Sequence, residues 1–328
     1  MNKPASLSIV IPVYNAESSI ADLCKALMKT LAAEAQLEIV LVNDNSTDRS
    51  DAVCKQLQTE YPETVVYARL SRNFGEHNAV MAGLNLASGE YVVIMDDDFQ
   101  NPPEEVPRLV AEARKGYDVV YCQYGEKKDG WFRNAGSYLN GTMARVVLDK
   151  PKHLYLSSFK ALNRFLVNEI IIHKTPKPYI DAMILSITRN IGIIPVRHEA
   201  RRSGRSGYTF KKLVSLWGDM IVSYSLIPIR IIAVAGFILT ILGVYSIGEI
   251  IIGSFSVHID DPTDIEELTA VSMFFRGFQL LATGIVGEYV GRIYLKLNRE
   301  PQFIIRECRS KRLQPNQIMQ HLGVRHDL

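Results

Sequence analysis

Three consecutive carboxylates, Asp96, Asp97 and Asp98, close an almost wholly apolar run that begins at Tyr91. In an extended chain alternate side chains share a face, so Asp96 and Asp98 are expected to point together and Asp97 away. Two close carboxylates repel each other and suit a hard divalent cation such as Mg²⁺ or Mn²⁺, which prefers oxygen ligands and bridges phosphates. A diphosphate is the natural complement of that arrangement. A solvated acidic turn has the same composition, so the reading depends on the neighbouring segments.

Those segments have a regular order. Leu7 to Val13, Leu37 to Val42, Thr64 to Leu70 and Tyr91 to Asp96 read as buried strands, with a further strand at Asp118 to Gln123. Between them, Ser18 to Ala35 has helical spacing of Ile20, Leu23, Leu27 and Leu31, and helices are expected through Val53 and Leu57 and from His77 to Ala87. Strands alternating with helices predict an α/β fold with a mostly parallel sheet flanked by helices on both faces. Ligands of such sheets bind at the carboxyl ends of the strands. Polar clusters stand there after the first, second and fourth strands: Tyr14-Asn15, Asn43 to Asp48, and Asp96 to Gln100. Between Lys127 and Arg202 the pattern is irregular and places helices only loosely.

These clusters carry a resemblance. SIVIPVYNAE (Ser8 to Glu17), VNDNSTD (Val42 to Asp48), RNFGEHNAVMAG (Arg72 to Gly83) and MDDDFQNPPEE (Met95 to Glu105) resemble the ordered motifs of family 2 glycosyltransferases, and in particular their polyprenyl-phosphate branch. RRSGRSGYTFKKL (Arg201 to Leu213) and GEYVGRIY (Gly287 to Tyr294) extend the likeness, which is weakest between Asp129 and Pro195. The resemblance implies a GT-A-like catalytic domain, a nucleotide-sugar donor, a polyprenyl-phosphate acceptor and a divalent metal. It further implies that Pro12, Tyr14 and Glu17 line the nucleobase pocket and that Asp44 bonds the base or ribose. Asp96 would contact the ribose or the metal, and Asp98 with Gln100 would hold the metal against the diphosphate. Arg133, Lys160, Arg201 and Arg202, with Ser206 and Tyr208, become candidates for gripping the phosphates of donor and lipid; for Arg133 and Lys160 an exposed surface charge is the plain alternative.

One position departs from the branch. Relatives carry an Asp ahead of the segment that aligns with YLSSFK (Tyr155 to Lys160), where this chain has Leu154; Asp181 is the candidate for a substitute catalytic carboxylate. The chemistry tolerates the loss, because a phosphate monoester with a second pKa of about 6 is already a nucleophilic dianion at neutral pH.

The catalytic domain is expected over residues 1–207, followed by an amphipathic segment at 208–226 that either lies along a bilayer surface or packs as an ordinary core helix. Two apolar segments within 227–295 are expected to cross the membrane as a hairpin. The loop between them, about 254–267, holds Asp260, Asp261, Asp264, Glu266 and Glu267 without Lys or Arg, whereas basic residues flank the pair and fill a tail at 296–328. By the positive-inside rule both termini and the catalytic domain are cytoplasmic, in a bacterial inner membrane if the resemblance holds. Gly236, Gly243, Gly284, Gly287 and Gly291 offer small-residue faces that suit a homo-oligomer.

A formal net charge of +2 from 37 basic and 35 acidic residues gives no reason to expect nucleic acid as a partner. Four scattered cysteines (Cys24, Cys54, Cys122 and Cys308) suggest neither a zinc site nor a disulfide framework. Two rival functions stand beside the transferase. A processive polysaccharide synthase would carry a Gln-x-x-Arg-Trp motif, which is absent, and a catalytically silent glycolipid-binding protein has Leu154 as its support.

Overall fold

The computed structural model describes residues 6–32, 36–124, 150–151, 154–196, 231–232, 234–238, 241, 262–297 and 301–311. The chain divides into two compact units, Met1–Gly207 with Pro301–Leu328, and Tyr208–Glu300.

The first unit is built on the strands that the apolar runs predict: β1 (Leu7–Val13), β2 (Leu37–Asn43), β3 (Val65–Leu70), β4 (Tyr91–Ile94) and β5 (Val119–Tyr124). Every residue of β1 is buried, as expected of a strand covered on both faces. Helices α1 (Ile20–Thr30), α2 (Ser50–Glu60) and α3 (Glu76–Leu86) separate them, and a 3₁₀ turn (Pro103–Glu105) leads into α4 (Val106–Ala113). In α1, Ile20, Leu23, Cys24 and Leu27 form one buried stripe, the i, i+3, i+4, i+7 pattern of a helix laid on a sheet. Helix α3 is buried from Asn78 to Leu86, and it lies so close to the sheet that a Cβ on Gly83 would meet Val10 Cγ1 at 2.3 Å.

The irregular stretch supplies β6 (Lys160–Asn163), α5 (Arg164–Ile172), α6 (Ile180–Ile187) and β7 (Ile191–Val196), and the basic tail supplies β8 (Ile305–Arg309). Together the strands form one sheet in the order β7-β5-β6-β4-β1-β2-β3-β8. Its centre is parallel (β4-β1-β2-β3), and β5 pairs with β7 in parallel too. The inserted β6 runs antiparallel to both β4 and β5, and β8 antiparallel to β3. β1 therefore has β2 on one side and β4 on the other, and the crevice at the carboxyl ends of β1 and β4 is the topological switch point where such sheets take ligands.

Two details of β1 and β4 bear on that crevice. Pro12 lies beyond Val10↔Ile94, the last pair of the β1–β4 ladder, so its missing N–H leaves no ladder bond unmade on that side. β4 itself ends at Ile94, two residues earlier than the apolar run suggests; after Met95 N donates to Val10 O (3.1 Å) the chain leaves the sheet. The carboxylates are thus displayed on a turn, with Phe99 at φ 59°, and strand alternation does not set their directions.

In the second unit the described element is α7 (Pro262–Leu297), a 36-residue helix spanning the second expected membrane segment. Leu280, Val286, Val290 and Ile293 are exposed along it, each at least 49 %. Among the described residues no helix is long and apolar enough to cross a membrane. The amphipathic stretch at 208–226 and most of the first expected segment lie outside the described residues, as do residues 254–261 of the expected acidic loop. The rest of that loop, 262–267, with Asp264, Glu266 and Glu267, is instead the first part of α7.

Candidate active site

The loops after β1 and β2 are sewn together by their own side chains. Asn15 and Asn45 both adopt positive φ (54° and 55°), a conformation asparagine tolerates better than other β-carbon residues. Asn15 Oδ1 accepts from Thr47 N (2.9 Å) and Thr47 Oγ1 (3.2 Å), and Asn15 N donates to Ser46 Oγ (3.1 Å). Glu17 Oε2 accepts from Arg49 N (2.8 Å), while Glu17 N donates to Asp48 Oδ2 (3.1 Å). Tyr14 remains half exposed at the rim of this wall.

Asp44, at the end of β2, is buried, and its two oxygens accept from Phe74 N (2.7 Å) and Gly75 N (2.8 Å). Burial raises its pKa, and the two backbone donors oppose that rise. The carboxylate therefore pins the turn before α3, where Gly75 has φ +92°. Of the residues that the resemblance assigns to the donor pocket, Tyr14, Glu17 and Asp44 are brought together at one end of the sheet, and Pro12 is a buried strand residue directly beneath them.

The acidic turn faces this wall. Asp97 Oδ2 accepts from Tyr14 N (3.3 Å), so the middle carboxylate ties the turn to the β1 loop. Asp98 Oδ1 accepts from Gln100 N (3.0 Å), and Asp96 Oδ2 from Ser158 Oγ (2.6 Å). Tyr124 braces the far end of the turn, donating to Asn101 Oδ1 (2.8 Å) with its hydroxyl 3.2 Å from Ser157 Oγ. The Asp96 carboxyl is crowded by protein: desolvation, then the charges of Glu76 and Asp98, push its pKa well above the ordinary carboxylate range, against the Ser158 hydrogen bond and the charge of Lys160.

The chemistry of the donor set bears on a metal: the charges of Glu76 and Asp98 oppose ionisation of Asp96, a repulsion that a divalent cation at these carboxylates would relieve. Among the described residues no three His, Cys, Asp or Glu side chains converge closely enough to hold a metal ion by themselves. An ion such as Mg²⁺ is usually held by one or two carboxylates and completed by water and substrate phosphates. The donor set fits: Asp96 and Asp98, with Gln100 beside them, would carry a cation whose chemistry is to neutralise a departing diphosphate.

Lys160 and Asp181 form the buried end of the site. Lys160 is 3 % exposed and Asp181 7 %, and Lys160 Nζ bonds Asp181 Oδ1, which also accepts from Tyr121 OH (2.8 Å). Lys160 Nζ lies 5.1 Å from the centre of the Tyr121 ring. Lys160 is thus no surface charge, and Asp181 is committed to two partners. Leu154, where the resemblance leads to the expectation of a carboxylate, is a buried apolar side chain 3 % exposed. His77, at the start of α3, packs edge-on against Tyr179 at 5.2 Å, and burial pushes its pKa down to about 4. Arg133, Arg201, Arg202, Ser206 and Tyr208 lie outside the described residues.

Sequence reasoning missed Ser158, Glu76, His77 and Tyr121. Ser158 and Glu76 had a signal, since both sit inside segments that carry the resemblance or its exception, YLSSFK and RNFGEHNAVMAG. Tyr121 had none, being one more apolar-strand residue.

A parallel-centred sheet with helices on its flanks and a carboxylate turn at its switch-point crevice is a GT-A-like α/β fold. The model of the family described as "Glycosyl transferase family 2" matches residues 8–171. The chain belongs to that family, and it is a glycosyltransferase. It is 34% identical over 309 residues to the undecaprenyl-phosphate 4-deoxy-4-formamido-L-arabinose transferase of Proteus mirabilis (strain HI4320), covering 92% of this chain and 93% of that one. The enzyme of the same name from Pseudomonas fluorescens (strain Pf0-1) is 35% identical over 304 residues, 91% of this chain and 88% of the other. Among solved structures, the fold is similar to glucosyl-3-phosphoglycerate synthase from Mycobacterium tuberculosis in complex with Mn²⁺ and UDP-glucose, with a TM-score of 0.50, 18% identity, and coverage of 66% of this chain and 77% of that one.

Proposed function

We propose that this enzyme transfers a monosaccharide from a UDP-sugar to a polyprenyl phosphate, undecaprenyl phosphate in particular, with inversion at the anomeric carbon. The observation that carries the reading is the crowded, negatively charged turn Asp96–Asp98 at the β1/β4 switch point, suited to a Mg²⁺- or Mn²⁺-bound diphosphate. The names of its relatives, which specify an undecaprenyl-phosphate acceptor, support the lipid.

In this reading a phosphate oxygen of the acceptor forms the new bond to C1 of the sugar as the C1–oxygen bond to the nucleoside diphosphate breaks, and the electron pair leaves with the diphosphate. The acceptor is largely a dianion near neutral pH, so no base has to take a proton from it. That agrees with an apolar Leu154 and with an Asp181 engaged by Lys160 and Tyr121. The protein's work is to orient two phosphates and offset their charge. Tyr14, Glu17 and Asp44 belong to the wall that takes the nucleoside, and Arg133, Arg201, Arg202, Ser206 and Tyr208 are assigned to the phosphates of donor and lipid.

The same proposal places the chain in a bacterial inner membrane, with the hairpin at 227–295, the acidic loop outside, the catalytic unit cytoplasmic and the chain a homo-oligomer. The exposed Leu280, Val286, Val290 and Ile293 of α7 support a lipid-facing helix. The test is transfer of label from a panel of UDP- and GDP-sugars, UDP-4-deoxy-4-formamido-L-arabinose included, to undecaprenyl phosphate with purified protein and Mg²⁺ or Mn²⁺. Labelled lipid from one donor, lost in Asp98→Ala, is the expected result. Label released only as free sugar, or lipid labelled equally by Asp98→Ala, would overturn it.

A further inference from the structure

Ser158 lies in the segment that follows the missing carboxylate, and its hydroxyl reaches the first aspartate of the acidic turn: Ser158 Oγ donates to Asp96 Oδ2 at 2.6 Å. The placement comes from the sheet. β6 pairs antiparallel with β4, Lys160 opposite Ile94 closing the ladder, so Ser158, two residues before β6, and Asp96, two residues after β4, emerge at the same end of it. Phe159 is still held along β5, its carbonyl accepting from Cys122 N (3.4 Å). The adjacent Ser157 turns the other way, donating to Phe159 O (2.8 Å) and lying beside Tyr124 OH, which is bonded to Asn101 at the end of the same turn. The segment 157–159 is therefore fastened to both ends of the 96–101 turn.

We propose that Ser158 is a positioning residue: by engaging one oxygen of Asp96 it fixes the plane in which the carboxylate meets the cation and the donor diphosphate. A hydrogen-bond donor fits this place better than a second carboxylate, because Glu76 and Asp98 already crowd Asp96 with negative charge. Groups that orient a metal-binding carboxylate typically contribute 10–100-fold to metal affinity or activity. The proposal rests on the reading of Asp96 and Asp98 as the cation-binding pair.

The experiment is Mn²⁺ binding to the full-length protein in detergent with UDP present, followed by the electron paramagnetic resonance signal of free Mn²⁺. Wild type, Asp98→Ala, Ser158→Ala and the near-isosteric pair Ser158→Thr and Ser158→Val are compared, with thermal unfolding of each. Expected are weaker Mn²⁺ binding by about 10–100-fold in Ser158→Ala and Ser158→Val, recovery in Ser158→Thr, and unfolding temperatures near that of wild type. Wild-type Mn²⁺ affinity in Ser158→Val would overturn the role of Ser158 while leaving the site intact. Equal binding by wild type and Asp98→Ala would instead remove the cation-site reading on which it stands. Because Thr and Val share shape, a packing effect would weaken both alike, and that result would also overturn the proposal.

Discussion

Lys160 on β6 and Asp181 on α6 are joined by an ion pair that is almost wholly out of solvent, with Tyr121 of β5 donating to the same carboxylate oxygen. Pairs of this kind pay a desolvation cost that their attraction only roughly offsets, so what they strongly resist is the loss of one partner. The pair ties the inserted β6 to a helix on the sheet's flank.

Asp181→Asn should therefore lower the unfolding free energy by about 3–5 kcal/mol, since it strands the Lys160 charge. Lys160→Met combined with Asp181→Leu should recover most of that loss. Chemical denaturation checks both. Turnover of Asp181→Asn should fall only as far as the folded population does; a stable protein without turnover would mean that Asp181 acts on the substrate.

Gly83 of α3 lies directly against the sheet. A methyl group there meets Val10 Cγ1 at 2.3 Å and Val42 Cγ2 at 3.3 Å, and both valines are core residues with nowhere to go. Gly83→Ala gains helix propensity of up to about 1 kcal/mol, yet overpacking a filled interior costs about 1–3 kcal/mol. The expected net effect is destabilisation, relieved when Val10→Ala opens the space. A stabilised Gly83→Ala would show that the helix can lift from the sheet without cost.

His77 gives the catalytic unit an acid sensitivity. Burial holds its folded-state pKa down at about 4, against an ordinary value of 6.5. Between those values the unfolded chain binds a proton that the folded chain refuses, so the contribution is complete above about pH 6.5 and disappears as pH falls toward 4. At about 1.4 kcal/mol per pH unit the loss approaches roughly 3 kcal/mol. Urea unfolding at pH 7 and pH 5 should show it, and His77→Gln should flatten that slope; an unchanged slope would assign the acid sensitivity to other groups.

Much of this was readable from residues alone, and the exceptions have physical causes. The central strands β1 to β4 announce themselves because both their faces are buried, which leaves unbroken apolar runs. The same run overshoots at Met95 and Asp96, since apolarity does not reveal where a neighbouring strand stops pairing. The four residues of β6 are too few to show a period. Lys160 could not be distinguished from a surface charge, because what buries it is Asp181, distant in sequence. The motifs belong to the loops after β1 and β2 and to the acidic turn, which Asp97 ties to the β1 loop, and there Glu17 and Asp44 accept from neighbouring backbone N–H groups.

β8 was illegible for a different reason: its charges, Arg306, Glu307 and Arg309, are those of a charged tail and equally those of an edge strand protected by charge. It covers β3, pairing Tyr67 with Arg309 and Ala68 with Cys308, and Ser71 N donates to Ile304 O (2.9 Å). Glu307 meets Lys55 at 2.9 Å, but both side chains are partly solvated, so this ion pair is worth less than about 1 kcal/mol. The backbone ladder should matter far more. Glu307→Ala is expected to unfold within about 1 kcal/mol of wild type, whereas a chain ending at residue 300 would bare the β3 edge and associate through it. Size-exclusion chromatography in detergent at increasing protein concentration separates the two: the truncated chain should shift to larger species and Glu307→Ala should not. A truncated chain that stays dispersed and fully folded would mean that β3 is protected by something other than β8.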